Sequence, residues 1–225
     1  QIRTLLADGA PPYPVLADAG YGEDTAFRQE LTALGLQYGV GATSAVVVWP
    51  PGIEPLPPPP YTGKGRPPVQ PRRTTSRQPT SVKALAMGLS AQAFQTISWR
   101  EGTNETLSGR FAAVRVRHAG SSGGKVRLRP QQWLLIQWSA GEPEPMKYWL
   151  STLPRDSAFD RLIDLAKLRW RIERDYQELK QELGLGHFEG RGWRGFHHHA
   201  TLCIAAYGFL ISERETIPPS GPRSA

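Results

Sequence analysis

Cysteine is almost missing from this chain: Cys203 is the single example among 225 residues. An internal disulfide is therefore excluded, and a reducing compartment is the natural setting. Cys203 lies in the apolar run 202–211 with no basic neighbour to activate it, so it reads as a buried structural thiol. Long apolar runs are missing too. The run 202–211 is the longest, is far too short to span a bilayer, and contains Tyr207 and Gly208, which predicts a buried helix. No basic, apolar leader opens the chain, so no export signal and no membrane partner are expected.

Acids are absent from two stretches that are rich in bases. Residues 64–77 carry Lys64, Arg66, Arg72, Arg73 and Arg77, and residues 110–129 carry Arg110, Arg115, Arg117, Lys125, Arg127 and Arg129, with no Asp or Glu in either. The net charge is +7. Clustering of this kind points to a polyanionic partner, most simply nucleic acid, with general solubility charge as the plainer alternative. With 39% hydrophobic residues and seven each of Trp, Tyr and Phe, the chain has material for one core of ordinary size and an appended subdomain.

Read in order, residues 1–12 end in a turn-forming Gly9, Ala10, Pro11, Pro12 with no complete element before it. Residues 13–17 form a short apolar strand that stops at Asp18 and turns on Gly20 and Gly22. Residues 24–35 read as a helix with an acidic start and a glycine stop, followed by a strand over 36–42. Strand, helix, strand with short connections predicts parallel neighbours in an α/β sheet. An acid at the carboxyl end of such a strand lies where these sheets place ligands, although a turn or cap role is the commoner one for Asp.

Val46–Trp49 extends a strand, and eleven prolines follow between Pro50 and Pro79. That segment is expected to be an extended, mobile, basic loop, with a proline-rich docking ligand as the competing idea. A helix capped by Ser81 and broken near Gly88 comes next. Residues 96–99, 109–118, 125–129, 133–139 and 146–152 are β-branched and aromatic, which predicts an antiparallel β subdomain. Trp99, Trp133, Trp138 and Trp149 lie in or beside these strands. Core packing is the usual role of such residues, and stacking on an unpaired base is the alternative.

The organising stretch is 160–183. Leu165, Leu168, Ile172, Tyr176, Leu179 and Leu183 recur at spacings of three and four, one apolar stripe of a single helix. Arg169, Glu173, Gln177 and Lys180 form a polar stripe on the same helix, which is either a solvated surface face or a functional set. A glycine-rich loop with Arg191 and a closing helix containing Arg194 follow, and the loop reads as backbone able to approach phosphate. The adjacent His197, His198 and His199 diverge by about 100° on a helix and are not expected to converge on a metal.

The string Arg169, Trp170, Arg171, Ile172, Glu173 with Lys180 resembles the C-terminal signature of DDE insertion-sequence transposases, in which Tyr, Arg, Glu and Lys stand two, three and six residues apart. The Tyr position is occupied by Ala166. Residues 15–22, with Asp18, Gly20 and Tyr21, resemble the second catalytic block of the same family. The resemblance implies an RNase H-like α/β fold, a mixed sheet with helices, incomplete at its N-terminus and interrupted by the β-rich insertion. The implied organisation is catalytic core over 1–45, insertion over 46–152 with its loop at 50–80, core helices over 153–214 and a disordered tail over 215–225.

By the same resemblance Asp18 and Glu173 are catalytic carboxylates and metal ligands for Mg²⁺, with Mn²⁺ as substitute. Arg169, Lys180 and Trp170 would contact DNA, and Arg191 and Arg194 are added to them as contacts. The implied activity is metal-dependent strand cleavage and transfer at transposon ends, in a homodimeric synaptic complex on DNA, in a bacterial cytoplasm at the nucleoid. The family's first catalytic Asp has no counterpart, since Asp8 is a poor fit. The chain is thus expected to be the C-terminal part of a transposase, either a piece of an enzyme or an inactive DNA- or partner-binding derivative acting as an inhibitor.

Overall fold

The computed structural model describes residues 1–69, 71–72, 74–100, 106–119, 128–139 and 141–216. The chain divides into two compact units, Gln1–Lys167 and Leu168–Ala225.

The first unit is a mixed α/β structure. It opens with α1 (Ile2–Ala7), where sequence reading expects no complete element. Strand β1 (Val15–Ala17) runs parallel to β2 (Tyr38–Ala42), and α2 (Ala19–Glu23) and α3 (Thr25–Ala33) make the crossover. Asp24 caps α3 through Oδ1, which accepts from the N–H groups of Ala26 at 2.8 Å and Phe27 at 3.3 Å. Gly35, at φ +70°, ends it in the left-handed conformation that favours glycine. Strand β3 (Val47–Trp49) pairs with β4 (Thr80–Ser81), and Ser81 Oγ accepts from Ala84 N–H at 3.1 Å to cap α4 (Val82–Met87).

Between β3 and β4 the described residues of the proline-rich segment form no helix or strand of their own. It is nevertheless tied down, by a Leu56–Arg72 bridge and by Arg117 Nε donating to Glu54 Oε1 at 2.8 Å. Four more strands follow: β5 (Gln95–Arg100), β6 (Thr106–His118), β7 (Gln132–Trp138) and β8 (Lys147–Ser151). They are antiparallel, as expected, and they continue the first sheet. Strand β8 pairs with β2, giving an eight-stranded sheet in the order β1-β2-β8-β7-β6-β3-β4 with β5 on β6. Of the strand expected at 125–129, residues 125–127 lie outside the described residues, as do Arg73 and the tail 217–225.

Alternation along β7 divides the core. Leu134 and Ile136 join the cluster under α3 and α4 with Leu31, Val40 and Val82, whereas Leu135 joins Phe111, Leu162, Ile163 and Leu165 on the other face. The second cluster is closed by α5 (Phe159–Lys167), and each fully buried side chain contributes roughly 1.5–3 kcal/mol. The four strand tryptophans are half-buried and engaged by their surroundings. Trp133 and Trp138 each donate Nε1–H to a carbonyl at 2.9 Å, and Trp99 packs edge-on to Phe111. Trp149 packs against the second cluster.

The second unit is helical, with α6 (Trp170–Gln181) and α7 (Trp193–Thr216). The single helix expected over 160–183 is thus two. Periodicity shows which face is apolar, but it does not show where the backbone ladder stops. The run 202–211 differs from expectation as well. Cys203 is buried, but Leu202, Ile204, Phe209 and Leu210 are exposed, because a helix apolar all round can cover only one face against a single neighbour. The pair is joined by Tyr207, whose hydroxyl donates to Asp175 Oδ1 at 2.7 Å, and by Arg214, which meets Glu178 at 3.3 Å. Among the described residues no helix is long and apolar enough to cross a membrane.

Candidate active site

Asp18 is held by packing that its glycine neighbours make possible. It leaves the carboxyl end of β1 and caps α2, with Oδ1 accepting from Tyr21 N–H at 3.2 Å while the side chain stays exposed. Helix α2 lies so close to β2 that a Cβ on Gly22 would stand 1.8 Å from the Gly41 carbonyl oxygen, and one on Gly41 would stand 2.8 Å from Ala19 N. Neither position tolerates a side chain without a backbone shift. In sequence Gly22 reads as a turn residue. Its role in close approach is invisible until β2 is in place beside α2.

Glu173 sits in the first turn of α6, where a carboxylate also meets the positive end of the helix dipole. It accepts from Arg169 Nη2 at 2.8 Å, an i,i+4 pair whose side chains are 66% and 45% exposed, so Glu173 is paired but open to solvent. Arg169, Glu173 and Lys180 fall within about 40° of one another around the axis at roughly 100° per residue. Lys180 Nζ lies 4.3 Å over the Tyr176 ring, and the Arg174 guanidinium lies 5.9 Å from the Trp170 ring. Arg191 and Arg194 are exposed, in the loop before α7 and in its first turn.

Asp18 belongs to the first unit and Glu173 to the second. Nearby acids are committed elsewhere: Asp24 caps α3, and Glu23 accepts from Thr43. Among the described residues no three His, Cys, Asp or Glu side chains stand together as a metal would require. The donors present therefore do not make up a two-ion carboxylate site of the kind used for in-line displacement. Of the three histidines, His197 packs edge-on to Trp193 and His199 Nε2 lies 2.8 Å from the Gly184 carbonyl oxygen.

Residues 1–106 match the family described as DDE superfamily endonuclease. The match includes Asp18 and both packing glycines, and it supports a relationship with DDE transposases and endonucleases. It stops before α6, so it carries no information on Glu173 or its neighbours. The eight-stranded mixed sheet with helices agrees with an RNase H-like DDE fold. A DDE endonuclease relationship implies nuclease or transposase-type activity, DNA as substrate and, typically, divalent metal ions. No curated protein matches the chain.

Proposed function

We propose that this chain serves DNA strand cleavage and strand transfer at the ends of an insertion sequence, with Asp18 and Glu173 as two of the acting carboxylates. The observation that carries the proposal is the exposed Asp18 carboxylate at the end of β1, held by the α2–β2 glycine contact within the part of the chain that matches DDE superfamily endonucleases. Arg169, Trp170 and Lys180 on α6, with Arg191 and Arg194, are the DNA contacts in this reading. Open carboxylates are hard oxygen donors of the type Mg²⁺ and Mn²⁺ take. Two such donors do not by themselves complete a two-ion site, so no chemical step is assigned to a metal. The working form in this reading is a homodimer that pairs transposon ends.

Nicking of supercoiled plasmid in Mg²⁺ or Mn²⁺ tests the proposal. Asp18→Asn and Glu173→Gln are each expected to abolish nicking while DNA binding persists. Arg169→Ala and Lys180→Ala are expected to weaken binding and lower its salt dependence by about one phosphate contact each. Nicking by Asp18→Asn at the unaltered rate would sink the proposal. The missing third acid among the described residues favours a second reading, a derivative that binds DNA or a longer partner without cutting. That reading predicts no nicking by this chain and inhibition of an active transposase when the chain is added.

A further inference from the structure

Between Leu56 and Arg72 the first unit carries a closed, proline-rich loop. Leu56 and Arg72 exchange backbone hydrogen bonds at 2.9 and 2.8 Å, and Arg117 holds Glu54 just ahead of them, so both ends of the loop are fixed on the unit. It opens with the run Pro57, Pro58, Pro59, Pro60, Tyr61. Proline fixes its own φ at about −65° and confines the residue before it to extended ψ, and among the described residues no peptide bond is cis. Pro57, Pro58 and Pro59 each obey both restrictions. The run is therefore a turn of polyproline II helix, set by sterics and needing no hydrogen bond of its own.

Three residues per turn put Pro57 and Pro60 on one edge of that helix. Both are exposed, whereas Pro58 and Pro59 are half-buried, so the loop lies with this edge outward. Tyr61 follows, 50% exposed, and its hydroxyl donates to the Gly65 carbonyl at 3.0 Å. Gly63 and Gly65, at φ +83° and +75°, make the turn that this bond closes. Lys64 and Arg66 stand exposed on the turn, and residues 55–100 contain no Asp or Glu.

We infer that this loop is a docking ligand for a protein domain whose groove is lined by aromatic rings and flanked by acids. The outward edge is apolar and its prolines have no N–H to offer a phosphate, so it gains from burial against rings rather than from contact with a nucleic-acid backbone. Its conformation is fixed before binding, by the prolines and by the pinned ends, which lowers the ordering cost of docking. Lys64 and Arg66 complement carboxylates at the rim of such a groove and steer the encounter. The loop acts independently of Asp18 and Glu173.

Titration of the whole chain into isotope-labelled SH3 and WW domains, two folds whose aromatic grooves take polyproline II segments, tests the inference by NMR. At least one of them is expected to bind, with its shifts confined to the groove. Pro60→Ala and Tyr61→Ala are each expected to weaken that binding about tenfold, the loss typical of truncating a central interface contact, whereas Pro12→Ala, at an exposed proline outside the loop, is expected to leave it unchanged. Thermal unfolding of the loop variants is expected to match that of the unaltered chain, which separates lost docking from lost folding. A free peptide of residues 54–66 is expected to bind no tighter than the whole chain. No binding by either domain, binding by the free peptide alone, or full binding by both loop variants would overturn the inference. A fall in DNA affinity in Pro60→Ala as large as its loss of domain binding would make the loop a nucleic-acid contact and overturn it as well.

Discussion

The two units hold their carboxylates by different physics. Asp18 stands on a sheet whose core buries Phe111, Leu134, Leu135, Ile136, Leu150 and Ile163 almost completely, and glycine contacts to β2 restrain the backbone around it. Glu173 stands on a helix with no buried residue, and it pairs with one surface arginine. Position is built into the first and left adjustable in the second. A carboxylate fixed by core packing is sensitive to substitutions far from it, whereas one held by an exposed ion pair is sensitive mainly to its own replacement.

The largest expected contrast comes from truncating one large apolar side chain in each unit. Phe111→Ala is expected to cost about 3–5 kcal/mol of stability, whereas Ile172→Ala, at a position 57% exposed, is expected to change it by less than about 0.5 kcal/mol. Thermal or denaturant unfolding measures both, and a similar loss at both sites would erase the contrast.

Opposite pH limits sharpen it. His118, in the first unit, has a pKa lowered to about 4, so between that value and the ordinary 6.5 the unfolded chain binds the extra proton. Stability from this group is present above pH 6.5 and falls as the pH drops towards 4, on the order of 3 kcal/mol in all. His118→Gln is expected to flatten that part of the acid profile. Tyr207, in the second unit, behaves in reverse. Burial and then the hydrogen bond to Asp175 push its pKa up to about 12, so its contribution is present below pH 10 and is lost as pH rises from 10 to 12. Tyr207→Phe is expected to remove that alkaline loss and leave the acid limb alone.

Gly22→Ala addresses the restraint on Asp18. With 1.8 Å between the added Cβ and the Gly41 carbonyl oxygen, the backbone must shift, at a cost of about 1–3 kcal/mol and with loss of any function that needs Asp18 in place. Glu173→Ala is likewise expected to alter stability little, by under about 1 kcal/mol, because the Arg169 pair is exposed. A loss of several kcal/mol there would mean that the second unit is not held as described.

Local chemistry made much of this fold legible in the sequence. The Asp24 and Ser81 caps, the Gly35 stop and the β-branched runs located α3, α4 and most strands because each signal acts within a few residues. Features that depend on distant partners were hidden. Nothing near Met146 says that β8 will lie against β2, so the antiparallel strands read as a separate layer. Leu165, Leu168 and Ile172 keep helical spacing across the end of α5, so one helix was expected where two exist. Arg28 is buried, and nothing near it in the sequence says so. Asp18 was legible as the acid ending a strand, but the reason it stays put was not.

The most direct test of a shared site for Asp18 and Glu173 is protein cleavage by bound iron. With DNA present and Fe²⁺ supplied in place of Mg²⁺, ascorbate and peroxide cut the backbone beside any held metal ion. A shared site predicts cuts close to both residue 18 and residue 173, with both sets lost in Asp18→Asn and in Glu173→Gln alike. Cuts beside only one carboxylate, or no cuts at either, would contradict it.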